Sequence, residues 1–143
     1  MKIVVASDEK TYLTDKVIKY LKEKGHELIL LGALVDEKND RWAEIGKEAA
    51  EKVARGEVDQ GILFCWSGTG ICMAANRIKG VRAALCWDAE TARLARKWDD
   101  ANVLCLSLRF TSKALAKEIL DTWFGTKFDE EGLNEVRKLD LDN

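Results

Sequence analysis

With 143 residues, 47% of them hydrophobic and 34% charged, the chain is long enough for one domain with a real core and too apolar to stay disordered. A formal net charge of −2 supplies no overall field for nucleic acid or anionic lipid, and no apolar run reaches the ~20 residues of a bilayer span. The chain enters a strand at once, without a basic region or cleavage site, so a cytoplasmic protein is expected.

In chain order, Lys2 to Ala6 is a short β-branched strand closed by Ser7-Asp8, residues suited to a turn or helix cap. Leu13, Val17, Ile18, Tyr20 and Leu21 recur at helical spacing until Gly25. Glu27 to Leu31 reads as a second strand, Asp36 to Arg41 as the longest loop, and Trp42 to Arg55 as an amphipathic helix. Strand three, Gln60 to Cys65, runs into a Gly-rich turn and a helix over Ile71 to Ile78. Val81 to Cys86 is the fourth strand, Asp88 caps a helix over Ala89 to Lys97, and Asn102 to Ser107 is the fifth strand. Ser112 caps a helix running to Phe124, and Glu130 to Leu139 forms a last short helix. No linker or repeat splits the chain, so 1–143 is expected to be one domain, with 129–143 a tail able to pack on a partner subunit.

Strict alternation of apolar strands with helices predicts an α/β fold, a five-stranded parallel sheet covered on both faces. Ligands of such sheets bind outside the carboxyl ends of the strands, near the switch in strand order. Those ends carry Ser7-Asp8-Glu9, Cys65-Trp66-Ser67, Trp87-Asp88 and Ser107-Leu108-Arg109, with Trp98-Asp99-Asp100 just before strand five. The site is expected to assemble from these groups.

Its centre is the stretch from Phe64 to Asn76. Gly68 and Gly70 permit close backbone approach, so the N–H groups of Gly68, Thr69 and Gly70 can converge on an anion at a helix N-terminus. A thiol beside such a cradle, Cys65, has reason to be reactive, because fixed positive dipoles favour the thiolate. The plain alternative is a buried cysteine that ends a strand. The other cysteines, at 72, 86 and 105, make no CxxC pair and are expected in the core. Disulfides and a zinc site lack the usual spacing.

As a nucleophile Cys65 would need an imidazole, but the only histidine, His26, lies between a helix and strand two at the opposite edge of the unit. As a base, a thiolate needs only an acidic C–H and donors for the developing oxyanion, which the Ser67 hydroxyl and the amides at 68 to 70 could supply. The turn lacks the Lys-Ser/Thr of a P-loop and the third glycine of a dinucleotide fingerprint. Trp42, Trp66, Trp87 and Trp98 could offer platforms to a sugar, or pack in the core or an interface. Asp8, Glu9, Asp88, Asp99 and Asp100 could make the rim acidic, and no spacing among them is diagnostic of a metal.

Gly61 through Cys65 to Asn76, then Gly80 to Cys86, Thr91 to Arg96 and Ala101 to Leu104 resemble the ribose-5-phosphate isomerase B family, which includes galactose-6-phosphate isomerase subunits. The similarity runs from Met1 to about Phe128. The resemblance implies a Rossmann-like three-layer α/β/α sandwich, no organic cofactor, no metal, and a homodimer, often paired into tetramers, with sites at the subunit interface. It implies an aldose–ketose isomerase of a small sugar phosphate. Cys65 occupies the proton-shuttling position, Ser67 replaces a neighbouring Thr, and Gly68 and Gly70 keep the anion hole. Asp8 matches a substrate-binding Asp, and Arg109 a phosphate-contacting Arg.

The departures sharpen this reading. Glu9 stands where the family has His, Trp98-Asp99-Asp100 replaces a His-Asn-Asn whose His helps open the furanose ring, and Trp42 replaces a Tyr. The basic C-terminal segment that reaches a partner's phosphate survives chiefly as Arg137. General acid–base help is worth about 10²- to 10⁴-fold, so a substrate that stays open-chain, such as a tetrose phosphate, suits this chain better than cyclic ribose 5-phosphate. The alternatives are a non-catalytic sugar or sugar-phosphate binding protein on the same fold, and a structural subunit of a mixed oligomer.

Overall fold

The computed structural model describes residues 1–140, so residues 141–143 of the expected tail lie outside the described part. Strands β1 (Lys2–Ser7), β2 (Glu27–Gly32), β3 (Gln60–Cys65), β4 (Ala83–Leu85) and β5 (Val103–Ser107) alternate with helices α1 (Tyr12–Glu23), α2 (Trp42–Ala54), α3 (Thr69–Asn76), α4 (Ala89–Asp99) and α5 (Lys113–Gly125). A 3₁₀ turn, Glu130–Gly132, and α6 (Leu133–Lys138) follow. Every strand pairing is parallel, in the order β2-β1-β3-β5-β4. This is the expected Rossmann-like α/β class.

Side chains alternate across a strand, and here the alternation sorts two cores. Ile3, Val5, Ile62, Phe64, Leu104 and Leu106 meet α1, α4 and α5, whereas Val4, Ala6, Leu63, Cys65, Val103 and Cys105 meet α2 and α3. Burying each of the larger side chains is worth about 1.5–3 kcal/mol. The same parity puts the Cys65 side chain on the α3 face.

Several boundaries differ from the sequence reading for local reasons. α1 is capped by Thr11, in a reciprocal box with Thr14, because Ser7 is spent elsewhere: its buried hydroxyl donates to the Glu9 carbonyl (2.6 Å) and accepts from the Glu9 N–H (3.1 Å). β4 loses Val81 and Arg82 because the Val81 N–H bonds Ile78 and the Arg82 N–H bonds the Asn102 side chain at 2.8 Å. At the outer edge of β4 the Asn76 amide accepts from the Ala83 N–H and donates to the Ala83 carbonyl, both at 2.8 Å, standing in for a missing strand and blunting the edge. The segment after α5 packs on its own chain, with Gly132 tight against the Trp98 carbonyl and Asp140 accepting from the Gly80 N–H at 3.2 Å.

Candidate active site

β3 lies between β1 and β5, with Ser7 opposite Phe64 on one side and Ser107 opposite Cys65 on the other. Cys65, the last residue of β3, therefore has the β1 exit at Asp8 on one flank and the β5 exit at Arg109 on the other. The next residues turn back into α3. Gly68 is its N-cap at φ +78°, with no side-chain cap, so the first-turn amides keep their donor capacity for a ligand. The Ser67 Oγ lies 2.7 Å from Thr69 Oγ1 and accepts weakly from the Thr69 N–H at 3.4 Å.

Sterics fix this turn as a bare-backbone surface. A Cβ at Gly68 would meet Leu85 Cδ1 at 2.6 Å and the Leu106 carbonyl carbon at 3.0 Å, and one at Gly70 would meet the Trp42 ring at 3.0 Å. Trp42, the first residue of α2, thus lies over the first turn of α3.

Two cavities open at this end of the sheet, and Cys65 lines neither of them. One of about 560 Å³ is lined by Asp8, Glu9, Lys10, Glu37 and Asp40. The other, about 160 Å³, includes Ser67, Leu85, Trp87, Arg109 and Phe110. Asp8 has a buried carboxylate oxygen, Oδ1, without a hydrogen-bond partner. Burial first, then the charges of Glu9 and Asp40, hold its pKa above the ordinary carboxylate value. Lys10 relieves little of this charge because it pairs with Asp15 at 3.1 Å. Glu37 and Asp40 were missed in the sequence. They sit in the loop after β2, which shares a sheet edge with Asp8 only because β2 pairs with β1.

The thiols are not distributed as expected. Cys65 is only 4% exposed, whereas Cys72, expected in the core, is half-buried against the three-residue β4, its sulfur 3.5 Å from the Ala83 oxygen. Burial pushes the Cys86 thiol up to about 12 and Cys105 well above its usual range, while a hydrogen bond with Cys105 lowers Cys72. Burial thus disfavours the reactive thiolate at Cys86 and Cys105.

One part of the expected constellation does not converge. α4 runs against the strands, so Trp98 and Asp99 at its C-terminus lie where β5 begins, about 13 Å along the strand from the Cys65 edge. They line a separate cavity of about 530 Å³ with Arg82, Glu135 and Val136, walled by α6, on which Arg137 is exposed. Of the other rim carboxylates, Asp88 caps α4 by accepting from the Thr91 N–H at 2.7 Å, and Asp100 pairs with Arg82 and Arg96. Trp42, Trp66, Trp87 and Trp98 are all exposed. His26 sits at the start of β2, within 3.1 Å of the N-terminal amine and stacked on Phe124, at the edge opposite Cys65.

At the switch in strand order of this parallel α/β sheet, where ligands of such folds bind, the chain brings a buried thiol, a backbone cradle and carboxylates to one end of the strands. Residues 3–141 match the Ribose/Galactose Isomerase family. The chain is 42% identical over 113 residues to the galactose-6-phosphate isomerase subunit LacB of Clostridium acetobutylicum, a match that covers 79% of this chain and 65% of that relative. It is 34% identical to the D-erythrulose-4-phosphate isomerase of Pectobacterium atrosepticum, over 89% of this chain and 81% of that one. Ribose-5-phosphate isomerase B of Clostridium thermocellum superposes with a TM-score of 0.92 at 37% identity, over 98% of this chain and 95% of that one. The chain belongs to the ribose/galactose isomerase family.

Proposed function

We propose that the protein is an aldose–ketose isomerase of a small phosphorylated sugar, in which Cys65 moves a proton between C1 and C2. The observation that carries this reading is the placement of the Cys65 side chain on the α3 face beside the uncapped N-terminus of α3. As thiolate, Cys65 takes the proton from the carbon next to the carbonyl. The electron pair left behind makes an enediolate, whose oxygen is held by the Ser67 hydroxyl and the amides of Gly68, Thr69 and Gly70. The thiol then returns the proton to the neighbouring carbon. The near-burial of Cys65 keeps bulk water from the intermediate and strengthens these interactions.

Asp8, its pKa raised by burial, is suited to carry a proton between the two sugar oxygens, and Glu9 orients hydroxyls. The acidic cavity repels a phosphate dianion, so the phosphate lies toward Arg109. Trp98, Asp99 and Arg137 join the site from a second copy of the chain. The exposed Trp66, Trp87, Met73 and Phe110 give that copy an apolar surface to cover.

With His26 held at the far edge, Cys65 has no imidazole beside it to open a sugar ring. A tetrose 4-phosphate cannot close a furanose ring, because its C4 oxygen is esterified, and it suits this site better than ribose 5-phosphate. The test is turnover of a panel of tetrose, pentose and hexose phosphates by wild type and Cys65→Ala. Wild type is expected to turn over the tetrose phosphate fastest, and Cys65→Ala to lose about 10²-fold or more. Binding without turnover by wild type would make the protein a sugar-phosphate binder instead.

A further inference from the structure

The turn that carries Ser67 leaves the strand through one reversed peptide. Along β3 the carbonyls alternate between neighbours: Phe64 accepts from the Asp8 N–H on the β1 side at 3.4 Å, and Cys65 from the Leu108 N–H on the β5 side at 3.0 Å. Continued alternation would turn the Trp66 carbonyl to β1. It turns to β5 again, accepting from the Arg109 N–H at 3.0 Å and from the Ser107 hydroxyl at 3.0 Å. In a planar trans peptide the C=O and the following N–H point in opposite directions. The Ser67 N–H is thereby aimed away from β5.

Ser107 is well placed to hold this reversal. It is 7% exposed, pairs with Cys65 in the ladder, and accepts from the Phe110 N–H at 3.2 Å, which leaves its own proton for the Trp66 carbonyl. The second donor, the Arg109 N–H, belongs to an exposed residue beyond the strand end. We infer that Ser107 is a positioning residue: its hydroxyl locks the Trp66–Ser67 peptide in the reversed orientation, and so sets Ser67 and the cradle amides against Cys65. The inference rests on the isomerase reading above and adds to it a residue that acts through the Trp66–Ser67 peptide, although its side chain also borders the cavity shared with Ser67 and Arg109.

Wild type, Ser107→Ala and Ser107→Thr are to be compared in kcat and KM for the sugar phosphate that wild type turns over best, in Tm, and in the rate at which iodoacetamide alkylates Cys65, followed by peptide mass mapping. Misplacement of a catalytic constellation by a fraction of an ångström lowers kcat with little effect on KM. Ser107→Ala is expected to lose about tenfold in kcat with KM within about twofold, and Ser107→Thr, which keeps the hydroxyl, to recover most of the loss. Wild-type kcat in Ser107→Ala, or a loss that Ser107→Thr does not recover, overturns the inference. If wild type turns over no sugar, the isomerase reading fails, and alkylation decides the positioning role separately. A changed Cys65 rate in Ser107→Ala, restored in Ser107→Thr, supports it, and an unchanged rate overturns it.

Discussion

Replacing Gly68 by alanine tests whether the cradle is held open by sterics. Gly68 adopts φ +78°, where an L-residue pays about 1–2 kcal/mol. Its Cβ would also stand 2.6 Å from Leu85 Cδ1 and 3.0 Å from the Leu106 carbonyl carbon. The leucine tip can swing aside, but the Leu106 backbone is fixed by its ladder to β3, so an overpacking cost of about 1–3 kcal/mol adds to the first. The sum is about 2–5 kcal/mol. Gly56 is the control, because it has nearly the same dihedral, φ +74°, with nothing within 4 Å of a Cβ; there only the backbone cost of about 1–2 kcal/mol applies. Urea unfolding at a single protein concentration measures both variants. Gly68→Ala is expected to lose at least about 1 kcal/mol more than Gly56→Ala, with about 2–4 °C in Tm for each kcal/mol. Losses equal within about 0.5 kcal/mol would show that contact with β5 does not shape the cradle.

Asp8→Asn probes the cost of the buried charge. The native state holds the Asp8 proton more tightly than the unfolded chain, so stability falls as pH rises from the unfolded pKa of about 3.9 through the raised native value. Asp8→Asn is therefore expected to melt higher than wild type at pH 7, with the gain fading as the pH drops below about 3.9; a gain unchanged across that range in a Tm series would exclude charge burial as its cause. Cys65→Ala and Arg137→Ala, each inactive alone, are expected to regain about a quarter of wild-type activity when mixed under subunit exchange, because half the dimers are mixed and each holds one intact site. Activity that stays absent once subunit exchange is verified would place Arg137 outside the site.

What the sequence shows well is local. The bounds of β3, Gln60–Cys65, follow from its apolar run, and Gly68 announces the turn because no other residue takes that conformation there cheaply. Period-two alternation also pairs Cys65 with Leu63 on one face before any coordinates are known. What escapes is set by strand order and by single side chains. Glu37 and Asp40 reach Asp8 only because β2 lies beside β1, a pairing that no local pattern encodes. Read along the chain, Trp98 and Asp99 fall beside the site residues, yet the antiparallel course of α4 carries them to the other edge of the sheet. The shortening of β4 traces to two backbone donors spent elsewhere, the Val81 N–H on the Ile78 carbonyl and the Arg82 N–H on the Asn102 side chain.

Isomerisation run in deuterium oxide bears on the thiol itself. With the preferred sugar phosphate, wild-type protein is expected to leave solvent deuterium at C1 or C2, and Cys65→Ser, with an unchanged melting temperature, to do so at less than about a hundredth of that rate. Label entering at the wild-type rate in Cys65→Ser would show that another group carries the hydrogen.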